Sequence, residues 1–256
     1  MRIVRMSQVL LITGSSGIAA ATAKLASGRG DTVFLMGKDG EECESLSSQL
    51  RDSVFFVADI ADENAVKNAI KFCLSRFNRI DAVFNVAGLS GRSLGDGPLH
   101  ECSTAAWHTL MNVHGAGTFF VCREVLQNWM ATQHTGAILN TGSVLARFPE
   151  RRFFATNAYP ASKGAVESMT LAAAGYYAPH RIRLNVLAPS LVRTPMSMRA
   201  QSNPAIIEFM KQKQPLKGDL IEADEVARVA YFLLTDESFP ITGEVVRVDA
   251  GWAVTG

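Results

Sequence analysis

Short, β-rich apolar runs alternate along this chain with longer stretches whose apolar residues recur at helical spacing. The runs Val9–Ile12, Thr32–Met36, Val54–Val57, Ala82–Asn85, Ala137–Thr141, Arg183–Ala188 and Glu244–Val248 are too short for helices and predict strands. Between them, Glu63–Phe77 places Val66, Ala69, Ile70, Cys73 and Phe77 on one face of a helix. Thr104 to Met130 predicts a second, long helix. Pro160 to Ala178 predicts a third, rich in alanine and closing at Pro179. Strands alternating with helices imply parallel pairing through right-handed crossovers, with helices on both faces. The expected fold is therefore α/β, a Rossmann-type doubly wound parallel sheet of about seven strands. No linker or low-complexity break divides residues 1–256, so the chain is expected to form a single domain. In such sheets ligands sit beyond the carboxyl ends of the strands, where the informative motifs should lie.

Composition narrows the partners. Hydrophobic residues make up 48% and charged residues 19% of the 256, an ordinary globular balance with enough chain for a substantial core. A formal charge of +1 supplies no electrostatic motive for binding nucleic acid or an anionic membrane. Cys43, Cys73, Cys102 and Cys122 are widely spaced, with no CxxC pair and no histidines at metal-ligand spacing, so neither a metal site nor a disulfide framework is expected. Two arginines near Val9–Ile12 superficially suggest a secretory leader. That run is only four residues long and leads straight into a glycine loop, so it reads as a first buried strand, and the protein is expected in the cytoplasm. No stretch approaches the roughly 20 apolar residues that span a bilayer.

The loop Thr13-Gly14-Ser15-Ser16-Gly17-Ile18-Ala19-Ala20 follows the first strand and opens a helix. Glycines there let the backbone approach a pyrophosphate, and the helix N-terminus offers free N–H groups. Gly14, Ser16, Gly17 and Ile18 are thus candidate phosphate contacts. Where an NAD-binding fold carries a ribose-binding carboxylate, about 20 residues on, this chain has Gly37 and then Lys38. The missing carboxylate removes repulsion toward a 2′-phosphate and the ammonium attracts it, so NADP(H) is favoured over NAD(H). Two other readings stand beside it: Lys38 as a solvated loop charge, and Asp39 turning in to bind a ribose.

The chemistry-bearing motif is Tyr159-Pro160-Ala161-Ser162-Lys163, in which a Tyr four residues before a Lys shares its helix face. It is preceded by Gly136–Ser143, by Asn85-Val86-Ala87-Gly88 and by Met111-Asn112-Val113-His114-Gly115. It is followed by Ile182–Ser190, Thr194-Pro195-Met196 and Val248-Asp249-Ala250-Gly251-Trp252. This ordered set resembles the compact, single-domain short-chain dehydrogenases/reductases, the group that includes 3-oxoacyl-carrier-protein reductases. The resemblance runs from about Val9 to Trp252.

The resemblance implies an oxidoreductase that interconverts a carbonyl and a secondary alcohol on a small-molecule substrate. Tyr159 would be the general acid/base. Lys163 would lower the phenol's pKa and hold the nicotinamide ribose, and Ser143 would hydrogen-bond the substrate oxygen. Asn112 would anchor a water linking the lysine to solvent, its alternative being a buried Asn that satisfies local backbone. Asp59 and Ile60 would border the adenine, and Asn85, Ala87 and Gly88 the adjoining ribose. Pro189 through Thr194 would embrace the nicotinamide, with Val192 and Thr194 at its carboxamide. Residues 194–216 would form a substrate lid, and a homo-oligomer, tetramer or dimer, is expected.

Several positions depart from the family pattern. The glycine loop is one residue short, TGxxGxA rather than TGxxxGxG. Val86, Ser190 and Ala250 replace an Asn and two glycines, and none of these is a reacting group. The Ser143–Tyr159 interval is also a few residues longer than usual. Its segment 147–154 is expected to overhang the substrate pocket, with Arg151 or Arg152 meeting an anionic substrate or merely lying in solvent. Met196, Met198, Ile206, Ile207, Phe209 and Met210 in or beside the lid would line a pocket or pack as an ordinary helix. A non-catalytic nucleotide sensor on the same fold would be expected to lose Tyr159 or Lys163, and both are present. Enoyl reductases of this kind space the Tyr and Lys more widely than here.

Overall fold

The computed structural model describes residues 7–255. Both arginines near the start of the chain, Arg2 and Arg5, lie outside the described residues. The strands in chain order are β1 (Val9–Thr13), β2 (Thr32–Gly37), β3 (Ser53–Val57), β4 (Ala82–Asn85), β5 (Ala137–Thr141), β6 (Arg183–Pro189), β7 (Val192–Arg193), β8 (Ile221–Glu222) and β9 (Val245–Val248). Seven of them form one parallel sheet in the order β3-β2-β1-β4-β5-β6-β9, and β7 pairs with β8 separately. Every predicted strand is present with each end within one residue of expectation. The strand order reverses between β1 and β4, the crevice where doubly wound sheets bind ligands.

Two helical layers cover the sheet because successive side chains of each strand face opposite sides. On one side Leu10 and Ile12 of β1, Val33 and Leu35 of β2 and Phe84 of β4 pack against α1 (Gly17–Gly28) and α9 (Ala223–Leu234). Alanines at 19, 23 and 26 let α1 lie close to that layer. On the other side Leu11, Phe34, Met36 and Val83 meet α3 (Glu63–Phe77), α5 (Gly117–Thr132) and α6 (Ala158–Tyr177). Residues 40–47 form α2, with Asp39 as its N-cap, the Asp39 carboxylate accepting from the Glu42 N–H at 3.0 Å.

The long helix expected from Thr104 to Met130 is interrupted. It is built as α4 (Thr104–Leu110), a wide π turn over Met111–Ala116, and α5. The interruption falls on the segment that carries Asn112 and Gly115, one of the two glycines between Thr104 and Met130, and it re-aims the side chains there. Residues 194–216, expected as a lid, contain α7 (Met198–Gln201) and α8 (Pro204–Lys213). Their apolar residues divide between the two roles expected of them. Ile206 and Met210 are fully buried with Trp252, Val144 and Leu220, whereas Met196 and Met198 are exposed. Trp252 itself is buried, its Nε1–H donating to the Phe148 carbonyl at 3.1 Å, so the C-terminal segment is tucked in at that point. Among the described residues no helix is long and apolar enough to cross a membrane.

One buried cation ties the far edge together. The Arg183 guanidinium, at the start of β6, donates to the carbonyls of Leu233, Thr235 and Ile241 and to the Ser238 hydroxyl, joining the end of α9 to the loop before β9. Burial lowers its pKa, and Asp236 opposes that shift. Arg183→Leu would leave these buried acceptors unpaired. The expected loss of unfolding free energy is about 3 kcal/mol or more, measured by urea denaturation at an unchanged m-value.

Candidate active site

A cavity of about 790 Å³ opens at the carboxyl ends of the central strands. One end is the loop between β1 and α1. Gly14 and Gly17 both have positive φ (94° and 54°), which a side chain would strain. Ser16 caps α1 without a side-chain hydrogen bond, leaving the first-turn N–H groups facing a potential anion. Ala19 packs where the family's last glycine stands, and it is buried. Thr13 accepts through Oγ1 from the Val86 and Ala87 N–H groups (2.9 and 3.0 Å), fixing the β4 loop against the glycine loop. Gly14, Ser16, Gly17, Ile18, Lys38, Asp59, Ile60, Ala87, Gly88, Pro189, Val192 and Thr194 all line this cavity.

Two charged details at that end were not legible from the sequence. Lys38 donates to Asp59 Oδ2 at 2.7 Å, a surface pair that holds the Lys38 pKa up and the Asp59 carboxyl down. Glu42 also lines the cavity, its carboxylate accepting from the Ser15 hydroxyl at 2.8 Å. The absence of a carboxylate at position 37 has a steric cause. A Cβ on Gly37 would lie 2.6 Å from Cys43 Sγ.

The other end gathers Ser143, Tyr159 and Lys163. Ser143, just after β5, is buried, and its Oγ accepts from the Leu145 N–H at 3.2 Å. Tyr159 and Lys163 occupy the first turns of α6, with the Lys163 Nζ 5.9 Å from the Tyr159 ring centroid. Lys163 donates to the Thr141 carbonyl at 2.9 Å, and burial lowers its pKa to about 8. The Tyr159 phenol is pushed upward by burial and eased back by its hydrogen bond with Ser143. The expected depression of that phenol by Lys163 is therefore not a feature of the ligand-free site.

Two expected residues are placed elsewhere. Asn112 is exposed and does not line the cavity. The π turn and the buried stripe Ala106, Leu110, His114 turn His114 inward instead. Asn85 is buried beneath the cavity rather than on its wall. Its amide donates to Asn140 Oδ1 at 2.9 Å, and Asn140 donates in turn to Thr170, tying β4, β5 and α6 together.

His114 does line the cavity, with a defined protonation pattern. The Leu89 N–H donates to Nε2 at 3.1 Å, so the ring proton resides on Nδ1 and is directed to Ser162 Oγ at 2.8 Å. The Ser162 hydroxyl then donates to the Tyr159 carbonyl at 2.8 Å. The ring stands edge-on to Tyr159, with centroids 5.4 Å apart. Burial and the neighbouring Lys163 charge hold His114 neutral, well below its ordinary pKa. A Cβ at Gly88 would come within 2.9 Å of this ring, so glycine there lets the β4 loop close on it.

Asp96 also escaped the sequence. Its carboxylate reaches across more than sixty residues of sequence to accept from the N–H groups of Asn157 (2.9 Å), Ala158 (3.0 Å) and Tyr159 (2.9 Å). These are the orphan donors at the start of α6, so Asp96 fixes the turn from which Tyr159 projects. In the loop 147–154, Arg151 and Arg152 are exposed and off the cavity wall, which agrees with the second of the two readings, a position in solvent. The loop's residue on the wall is Phe154.

Residues 12–253 match the family model described as enoyl-(acyl carrier protein) reductase. The chain is 34% identical to the 2-(R)-hydroxypropyl-CoM dehydrogenase of Xanthobacter autotrophicus over 96% of its length and 99% of the relative's. A levodione reductase superimposes with a TM-score of 0.88 at 28% identity, covering 97% of this chain and 99% of the other. The 3-ketoacyl-(acyl-carrier-protein) reductase of Brucella melitensis, complexed with NADH, gives 0.85 at 28% identity, covering 96% and 98%. The chain belongs to the short-chain dehydrogenase/reductase family, single-domain oxidoreductases that bind a nicotinamide dinucleotide.

Asp96→Ala should cost about 2 kcal/mol of stability and lower kcat, because the start of α6 loses its cap. Asp96→Asn, which keeps an acceptor oxygen, should recover part of both, as read by thermal melts and steady-state kinetics. Lys163 carries a separate signature in the ligand-free protein. Its folded pKa of about 8 lies below the ordinary 10.5, so stability should rise with pH between those values. Lys163→Met should abolish that rise, on the order of 3 kcal/mol, in denaturant titrations across pH 7–11.

Proposed function

We propose that this chain is an NADP(H)-dependent oxidoreductase that interconverts a carbonyl and a secondary alcohol, with Tyr159 as its general acid/base. The observation that carries the reading is the meeting of Ser143, Tyr159 and Lys163 in one cavity with the glycine loop of α1. The free N–H groups at the start of α1 and the unpartnered buried Thr141 Oγ1 beside the lysine fit a large polar ligand along that cavity. Bound there, the nicotinamide supplies or accepts the hydride.

The chain's own residues do the proton work. In reduction the Tyr159 phenol, kept protonated by burial, gives its proton to the substrate oxygen as the carbon receives hydride. Ser143 donates to that same oxygen and steadies its developing charge. Lys163 sets a cation near the phenol, favouring its ionised form once the proton has left. Oxidation runs the same steps backwards, with Tyr159 taking the hydroxyl proton. The family model's description names enoyl reduction. The Tyr–Lys spacing and the 2-(R)-hydroxypropyl-CoM dehydrogenase relative favour carbonyl chemistry instead.

The NADP(H) preference rests on Lys38. Its pair with Asp59 is exposed to solvent and screened there, so the ammonium is free to turn to a 2′-phosphate at little cost. NAD(H) is the second reading, favoured by the Glu42 carboxylate on the same wall and by the relative complexed with NADH. Exposed apolar side chains on α5 and α6, Phe119, Leu171 and Tyr176, support a homo-oligomer.

Two measurements test the whole. Tyr159→Phe should lower kcat roughly 10²- to 10⁴-fold across a panel of ketones while leaving cofactor affinity intact. Fluorescence titrations should show tighter binding of NADPH than of NADH, and Lys38→Ala should weaken NADPH alone by about tenfold. A wild-type preference for NADH would transfer the assignment to the second reading.

A further inference from the structure

The wall of the cavity around the loop 147–154 carries two cations that form no direct ion pair with a carboxylate among the described residues. Arg92, half-buried on the turn after β4, and Arg199, exposed on α7, both line the cavity. Their Nη2 atoms converge on one atom, the Phe153 carbonyl oxygen, at 2.8 and 3.1 Å. Two nitrogens bonded to one oxygen lie no further apart than those two lengths combined. Like charges held so close repel unless an anion joins them. Burial lowers the Arg92 pKa first, and the charge of Arg199 lowers it further.

The two nearest acids, Asp96 and Glu150, act on Arg92 only through space, opposing the lowering of its pKa, and their oxygens are directed at backbone donors. Asp96 spends both carboxylate oxygens on the backbone of α6. Glu150 spends both of its own on the N–H groups of Arg152, Phe153 and Phe154, at 2.6, 2.7 and 3.2 Å. Glu150 thereby folds the loop so that the Phe153 carbonyl is presented to the arginine pair. Phe154 supplies an apolar face beside it, with the Arg199 guanidinium 5.8 Å from its ring centroid. A single carbonyl oxygen is a weak partner for two guanidiniums, each of which has further N–H groups to direct at an anion.

We propose that Arg92 and Arg199 bind an anionic group on the substrate, a carboxylate, sulfonate or phosphate, in the same cavity where Tyr159 and Ser143 meet its carbonyl or hydroxyl oxygen. The substrate class is thus a ketone or secondary alcohol carrying an acidic group, with the apolar face of Phe154 alongside. This rests on the oxidoreductase reading for the reacting end of the molecule. The recognition of the acid rests on the arginine pair alone.

The test pairs binding with turnover, using acetoacetate, 4-oxopentanoate and 5-oxohexanoate, each against its methyl ester. Isothermal titration of the wild-type protein, with NADPH or NADH present, should show binding of at least one acid and roughly 10- to 100-fold weaker binding of its ester. Arg92→Gln/Arg199→Gln, which keeps amide donors for the Phe153 carbonyl, should remove that difference with the ester unaffected. In kinetics the loss should fall mainly on KM for the acid, with kcat nearly preserved. Equal binding of acids and esters, no binding of any acid, or an acid preference that survives in the double variant would each overturn the proposal. An acid that binds through the arginines but is never reduced would leave the anion site standing and sink the carbonyl-reductase reading.

Discussion

The seating of the first turn of α6 is the constraint on which the active site depends. A helix that begins inside the protein brings unpaired N–H groups with it, and here a buried carboxylate from a distant loop accepts three of them. Four residues further along, the same helix buries an ammonium whose hydrogen bond runs to a strand carbonyl rather than to an acid. Neither group would be stable there alone. Asp96 anchors the turn that delivers Lys163, and Lys163 pins that turn to the end of β5. Tyr159 lies between them, so its position is set by two electrostatic contacts made by other side chains. His114 adds a third support, reached through Ser162 and the Tyr159 carbonyl.

Much of this was legible in the chain. Strands buried on both faces leave short apolar runs, and the ends of all seven sheet strands follow from those runs to within one residue. The glycine loop was legible from its place between a strand and a helix, whereas Ser143, Tyr159 and Lys163 were assigned through the ordered set of motifs that resembles the family. Asn112 misled because the motif was read as if the long helix were regular. The amphipathic stripe held the corrective signal. Ala106, Leu110 and His114 fall four apart and are buried, which leaves Asn112 off that face. Asp96 left no local trace at all, since its partners are more than sixty residues away and a Gly-Asp-Gly-Pro segment reads as an ordinary turn.

The choice between the two readings of Arg151 and Arg152 was not legible for a related reason. Arg151 and Arg152 sit in the loop that overhangs the cavity, yet a loop's sequence does not say which of its residues face inward. Glu150 decides it by collecting three consecutive backbone N–H groups, a fold that puts Phe154 on the wall and leaves the loop's arginines in solvent. The cations that do reach the cavity come from two other elements, the turn after β4 and α7, and meet only through tertiary packing.

The two ends of the cavity consequently differ in charge. At the glycine-loop end Lys38 is matched by Asp59 and Glu42, so the fixed charges there are mixed and the helix dipole of α1 supplies most of the pull on an anion. Around Phe154 the Asp96 and Glu150 carboxylates accept from backbone donors and pair directly with neither Arg92 nor Arg199. Between these ends the buried Lys163 and the neutral His114 occupy a region where water is largely displaced. In the proposed reaction, a proton leaving Tyr159 would change charge in a low-dielectric pocket, where Lys163 would act on it more strongly than in solvent. Burial raises the barrier to ionising the phenol and strengthens the attraction of a phenolate to the Lys163 cation, while making that cation itself easier to deprotonate.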